Sequence, residues 1–115
     1  MARFAILMYE DDGAWAALPP ARQQELYALY GAYVEGLRSR GAFVAGHSLG
    51  GPAVRLVGGA GGEVRVDPDP ATTNVLTGWF VVEAPDAVAA VELAKGCPAL
   101  LHGERVVVRP TGHGG

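Results

Sequence analysis

Cysteine is almost absent from this sequence. Cys97 stands alone, so no internal disulfide can form, and a reducing, cytoplasmic compartment is expected. Histidine is nearly as scarce: His47, His102 and His113 are scattered without the spacing of a metal site, and no bound metal is expected. Basic residues are too few for a phosphate-binding stripe. Nine Lys and Arg stand against twelve Asp and Glu, giving a net charge of −3 and a pI near 5.5. Nucleic acid is therefore not an expected partner, and neither is an anionic membrane surface. Long apolar runs are missing too. The stretch from Phe4 to Tyr9 is closed at once by Glu10, Asp11 and Asp12, too short for a secretory signal or a bilayer span. A P-loop is absent, and the glycine pairs lack the strand–helix context of a dinucleotide fingerprint, so no cofactor is expected.

What remains is globular in composition. Half the residues are apolar and 18% are charged, enough for one domain with a modest core. The 17 glycines and 8 prolines fall mostly between apolar runs. Residues 1–110 are read as one α+β domain, and 111–115 as a flexible glycine-rich tail.

Ala2 to Tyr9 reads as a strand. Pro19 and Pro20 open a helix whose Leu26, Leu29, Tyr30, Tyr33, Val34 and Leu37 recur at helical steps, and Gly41 ends it. Ala42 to Ser48 is a second strand. Ala53–Val57 and Glu63–Val66 form a hairpin around Gly58–Gly62. Val75 to Glu83 is the strongest strand. Pro85 and Asp86 start a second helix, with Val88, Val91 and Ala94 expected to face inward, and Glu104 to Arg109 is the last strand. The order is β-α-β-(hairpin)-β-α-β, an α+β sheet with both helices on one face. Trp79–Val82 and Val106–Val108 are apolar at successive positions, so both faces of those strands want burial. Two helices cannot cover both sides, and a second copy of the sheet is the expected cover: a homodimer.

Gly46-His47-Ser48-Leu49-Gly50 spells the G-x-S-x-G pattern of a serine-hydrolase nucleophile elbow. The elbow requires a turn from strand into helix, whereas here Gly50-Gly51-Pro52 leads towards another strand. Asp67, Asp69 or Asp86, then His102 or His113, follow in a permissible order, but only 67 residues come after Ser48 to place them. The pattern is read as a chance match.

The chain resembles the YCII-related proteins, particularly their DGPF-type branch. The resemblance is carried by Phe4–Tyr9 followed by acids and Trp15, then by Tyr30-Gly31-Ala32-Tyr33 with Leu37 and Gly41. Gly46 and Leu49 follow, then Leu76–Phe80, Glu83 to Ala94, Cys97-Pro98 and Val106–Pro110. It implies a ferredoxin-like α+β unit that pairs into a dimeric α/β barrel. In two places the sequence departs from the family pattern. Asp67-Pro68-Asp69-Pro70 stands where the Asp-Gly-Pro-Phe signature would be. Tyr30 and Cys97 occupy the positions of the helix histidine and later aspartate that give YciI-type members their suspected activity.

Among residues able to carry chemistry, His47 lies at a strand end between glycine and loop, where an imidazole can exchange protons near neutral pH. Asp67 is its candidate partner, while Asp69 reads as turn chemistry. Tyr30, Tyr33 and Trp79 are candidates to line a pocket for a small planar organic molecule. Arg55 and Arg65 read as the solvent side of the hairpin. Cys97, at a helix C-terminus, is not expected to form a thiolate. Together these residues suggest a cofactor-independent lyase or isomerase working by proton transfer. The alternative is a non-catalytic ligand-binding or accessory dimer.

Overall fold

The computed structural model describes residues 1–67 and 72–112. The elements follow the expected order: β1 (Ala2–Glu10), α1 (Pro20–Ser39), β2 (Phe43–Ser48), β3 (Arg55–Gly58), β4 (Val64–Asp67), β5 (Val75–Ala84), α2 (Ala87–Ala94) and β6 (Arg105–Pro110), with a 3₁₀ turn at Pro98–Leu101 before β6. Four strands make an antiparallel sheet in the order β2-β5-β1-β6. With the inserted hairpin set aside, that is the ferredoxin-like order. β3 and β4 form a separate two-stranded sheet.

Alternation along the strands sorts the sheet into two faces. Phe4, Ile6 and Met8 of β1 and Phe80, Val82 and Ala84 of β5 are buried under the helices with Leu37, Ala90, Ala94, Cys97 and Ala99. On the other face, register aligns His47, Trp79, Leu7 and Val107 in one row across all four strands. Gly46 is required by the first face: a Cβ there would lie 2.5 Å from the Phe80 ring.

Helix α1 ends as expected, with Gly41 at φ +67° just beyond it. Leu26 and Leu37 are its buried residues, while Leu29 of the expected inner face is exposed. Helix α2 differs more. Its inward residues are Ala90 and Ala94, whereas Val88 is 73% exposed and Val91 is also outside the core. The Asp86 carboxylate accepts a hydrogen bond from the Ala89 amide at 2.9 Å, which fixes the start of the first turn. That phase turns the small alanines to the sheet and lets helix and strands approach closely. No helix among the described residues is long and apolar enough to cross a membrane.

Candidate active site

Between the helices and one end of the sheet, four polar side chains from three separate segments meet. Tyr30 of α1 points inward and its hydroxyl lies 2.9 Å from Nε2 of His102. His102 follows the 3₁₀ turn, and Glu104 immediately precedes β6. Their side chains are 1% and 2% exposed, a rare degree of burial for titratable groups. Nδ1 of His102 is 3.2 Å from Glu104 Oε2. That contact is within ion-pair distance but off the line of a hydrogen bond, so Nδ1 has no hydrogen-bond partner. The other carboxyl oxygen of Glu104 bonds the hydroxyl of Thr77.

Thr77 reaches this position because of a β-bulge. Met8 pairs with Gly78 and Tyr9 with Leu76, so Thr77 is the extra residue of β5, re-aimed as bulged residues are. Its hydroxyl also lies 3.3 Å from the Met8 carbonyl. One hydroxyl proton cannot serve both acceptors. When Glu104 is protonated, its O–H donates to Thr77 and Thr77 donates on to Met8. When Glu104 is ionised, Thr77 donates to it instead.

Burial raises the Glu104 carboxyl above the usual carboxylate range, and the nearby Glu10 adds to this; the Thr77 hydrogen bond and His102 oppose it. Burial likewise pushes the Tyr30 phenol upward, with Glu104 contributing. A protonated phenol donates to Nε2, which leaves the His102 proton on Nδ1, facing the carboxyl group.

Trp15 covers the cluster. Its ring meets His102 edge-on at 5.4 Å and Tyr27 at 5.2 Å. Its backbone is held from two sides: the amide donates to Glu10 Oε2 at 2.8 Å, and the carbonyl accepts from the Gln23 side chain at 3.0 Å. Arg105 braces the neighbouring loops through a two-pronged contact with Asp11 (3.0 and 2.9 Å) and a third bond to Asn74 (2.7 Å).

The other candidate residues lie elsewhere. His47 is exposed on the open sheet face, its ring 5.7 Å from that of Trp79. Asp67 is engaged by Arg55 across the hairpin, and no hydrogen bond or ion pair joins it to His47 among the described residues. Tyr30, Tyr33 and Trp79 do not line one pocket. Alternation along β5 sends Phe80 to the helices and Trp79 to the opposite face. Tyr33 packs edge-on against Phe80 at 5.6 Å and donates to the Leu93 carbonyl at 2.8 Å, a core tyrosine with its hydroxyl satisfied. Cys97 is buried, and that burial pushes its thiol up to about 11.

Ser48 ends β2 and leads to the hairpin rather than to a helix. Asp67, Asp86 and His102 each have other partners. Asp69 and His113 lie outside the described residues. Among the described residues no cluster of three or more His, Cys, Asp and Glu could hold a metal ion.

The candidate site turns on His102, which from sequence figured only as a possible base in the rejected hydrolase pattern, and on Glu104, which figured only as the start of the last strand. The available signal was His102-Gly103-Glu104 itself, two titratable groups two residues apart at the entrance to a strand.

The fold places the chain among α+β proteins of the kind seen in the 5-chloro-2-hydroxyhydroquinone dehydrochlorinase (TftG) from Burkholderia phenoliruptrix AC1100, solved in complex with 2,5-dihydroxybenzoquinone. The two structures superpose with a TM-score of 0.54 at 18% identity, over 96% of this chain and 94% of that one. No match is found among curated proteins. The sequence pattern of the YCII-related domain matches residues 2–111. The chain belongs to the YCII-related family.

Proposed function

We propose that this protein is a small-molecule lyase or isomerase, independent of a cofactor, whose proton-transfer centre is Tyr30–His102–Glu104. The observation that carries the reading is the buried file of hydroxyl, imidazole and carboxyl, assembled from segments far apart in sequence. Burial of such groups is costly unless they are paired, and perturbed titratable clusters of this kind gather at functional sites. The acid–base role expected of His47 and Asp67 passes in this proposal to His102 and Glu104.

Tyr30 is the half-buried member of the file and the one that meets substrate. As a substrate proton moves to its oxygen, the phenolic proton moves to Nε2 of His102. The resulting imidazolium is stabilised by ionised Glu104 across the 3.2 Å contact. In an elimination, the electron pair released at the substrate forms the new double bond, and the leaving group departs with its own bonding pair. The dehydrochlorinase of like fold makes a hydroxylated six-membered ring a natural first probe, and Trp15 and Tyr27 offer such a ring an aromatic wall.

Chloride release from 5-chloro-2-hydroxyhydroquinone, and deuterium wash-in from D2O into enolisable carbonyl compounds, screen for the reaction. Turnover should fall roughly 10²–10⁴-fold in Tyr30→Phe and His102→Gln and survive in His47→Ala. Loss in His47→Ala with retention in His102→Gln would overturn the assignment.

A second reading, a non-catalytic ligand-binding or accessory protein, is favoured by the near-complete burial of His102 and Glu104 beneath Trp15. On either reading we propose a homodimer built on the uncovered sheet face, where Leu7, Trp79, Val81 and Val107 form an apolar patch rimmed by His47.

A further inference from the structure

The hairpin β3–β4 is an anomaly in the isolated chain. Leu56 pairs with Val66, and Gly58 with Val64; Val54 continues the same alternation. Val54, Leu56, Val64 and Val66 thus share one side of the ribbon, and all four are between 61% and 75% exposed. Arg55, Arg65 and Asp67 take the other side, where Arg55 and Asp67 are paired. The ribbon is therefore two-faced, yet among the described residues its apolar face covers no element of its own chain. Among the described residues, neither strand packs substantially on any element except the other. A lone two-stranded hairpin is marginally stable in water, and a contiguous exposed apolar patch marks an interaction surface.

The overall dimensions agree. The radius of gyration is 16.1 Å, against about 13 Å for a compact domain of this length. The accessible surface is 7402 Å², against about 5,950 Å² for a folded monomer of this mass. The surplus of about 1,450 Å² exceeds the ~800 Å² per partner of a standard interface and lies in the range of obligate homodimers.

We infer that the β3–β4 hairpin is a dimer arm: it reaches across to a second copy of this chain and buries Val54, Leu56, Val64 and Val66 against that copy. The inference rests on the homodimer reading and adds to it. Arm and sheet face belong to one interface, because the hairpin is inserted between β2 and β5, the neighbouring strands that carry His47 and Trp79 on the open face. The polar side of the ribbon is left to the solvent.

Sedimentation velocity over a concentration series, comparing the wild-type protein with the double variant Leu56→Lys/Val66→Glu, tests this. The two replacements face each other across the ribbon, so opposite charges keep the hairpin paired while making burial unfavourable. The expected result is a wild-type dimer whose dissociation constant rises ~100-fold or more in the variant, with unchanged circular dichroism. Hydrogen exchange supplies the second readout: amides of 55–58 and 64–67 should gain protection as wild-type dimer forms. A wild-type monomer at all concentrations would overturn both the arm and the dimer. A dimer unaffected by the double variant, with the hairpin amides unprotected, would overturn the arm and leave the dimer standing.

Discussion

At the scale of single residues, the site is governed by what burial does to groups that carry protons. Glu104 is held above the usual carboxylate range chiefly because it is buried. Its folded-state value therefore exceeds the unfolded one, so the folded protein binds the proton more tightly. Stability falls as pH rises from the unfolded value through the folded one. Glu104→Gln keeps an amide partner for Thr77 and removes that titration, so its urea midpoint should vary less between pH 4 and 8 than that of the wild-type protein. Thr77→Val should act the other way: without the bond that favours the ionised form, the carboxyl moves higher still and the loss of stability with pH extends further. Cys97 obeys the same logic. With its thiol raised to about 11 by burial, it should resist a thiol-specific reagent in the native protein and react at once in denaturant.

At the scale of elements, stability depends on how one helix cap and one sheet face fit together. Asp86→Ala removes the acceptor for the Ala89 amide and should cost about 1 kcal/mol in equilibrium unfolding. Ile6→Ala, at a fully buried position in the middle of the sheet, should cost about 2–5 kcal/mol. The strands and helices were legible because their signals are local: apolar runs for β1 and β5, proline and glycine at the ends of α1, Asp86 before α2. The inner face of α2 was not, since Val88, Val91 and Ala94 satisfy a helical period as well as Ala90 and Ala94 do. Only packing against the sheet selects between them. Of the candidate cluster, Tyr30 alone was expected from sequence to line a pocket. Its partner His102 is 72 residues away, and Thr77 joins through a bulge between Met8 and Tyr9 that no local pattern announces. His47 drew attention by its glycine-flanked strand end, but strand parity carried it to the far face.

At the scale of the whole molecule, a sheet with helices on one side and a two-faced hairpin with exposed apolar side chains are the two features on which the proposed homodimer rests. Leu7 and Val107 are directly opposed on the open face, so Leu7→Lys/Val107→Glu should leave the sheet paired and give a monomer by light scattering. The site does not lie on that face. Tyr30, His102 and Glu104 sit on the helix side, under a loop of the same chain, so chemistry and assembly are predicted to be separable by mutation. The most direct test of the proposed acid–base centre is a titration with 2,5-dihydroxybenzoquinone, followed through the imidazole resonances of His102 and His47. The account predicts that His102 and the Trp15 indole shift together, and that Tyr30→Phe weakens binding by about tenfold or more, the loss of a good hydrogen bond. Saturable shifts at His47 and Trp79, with His102 unmoved, would contradict it.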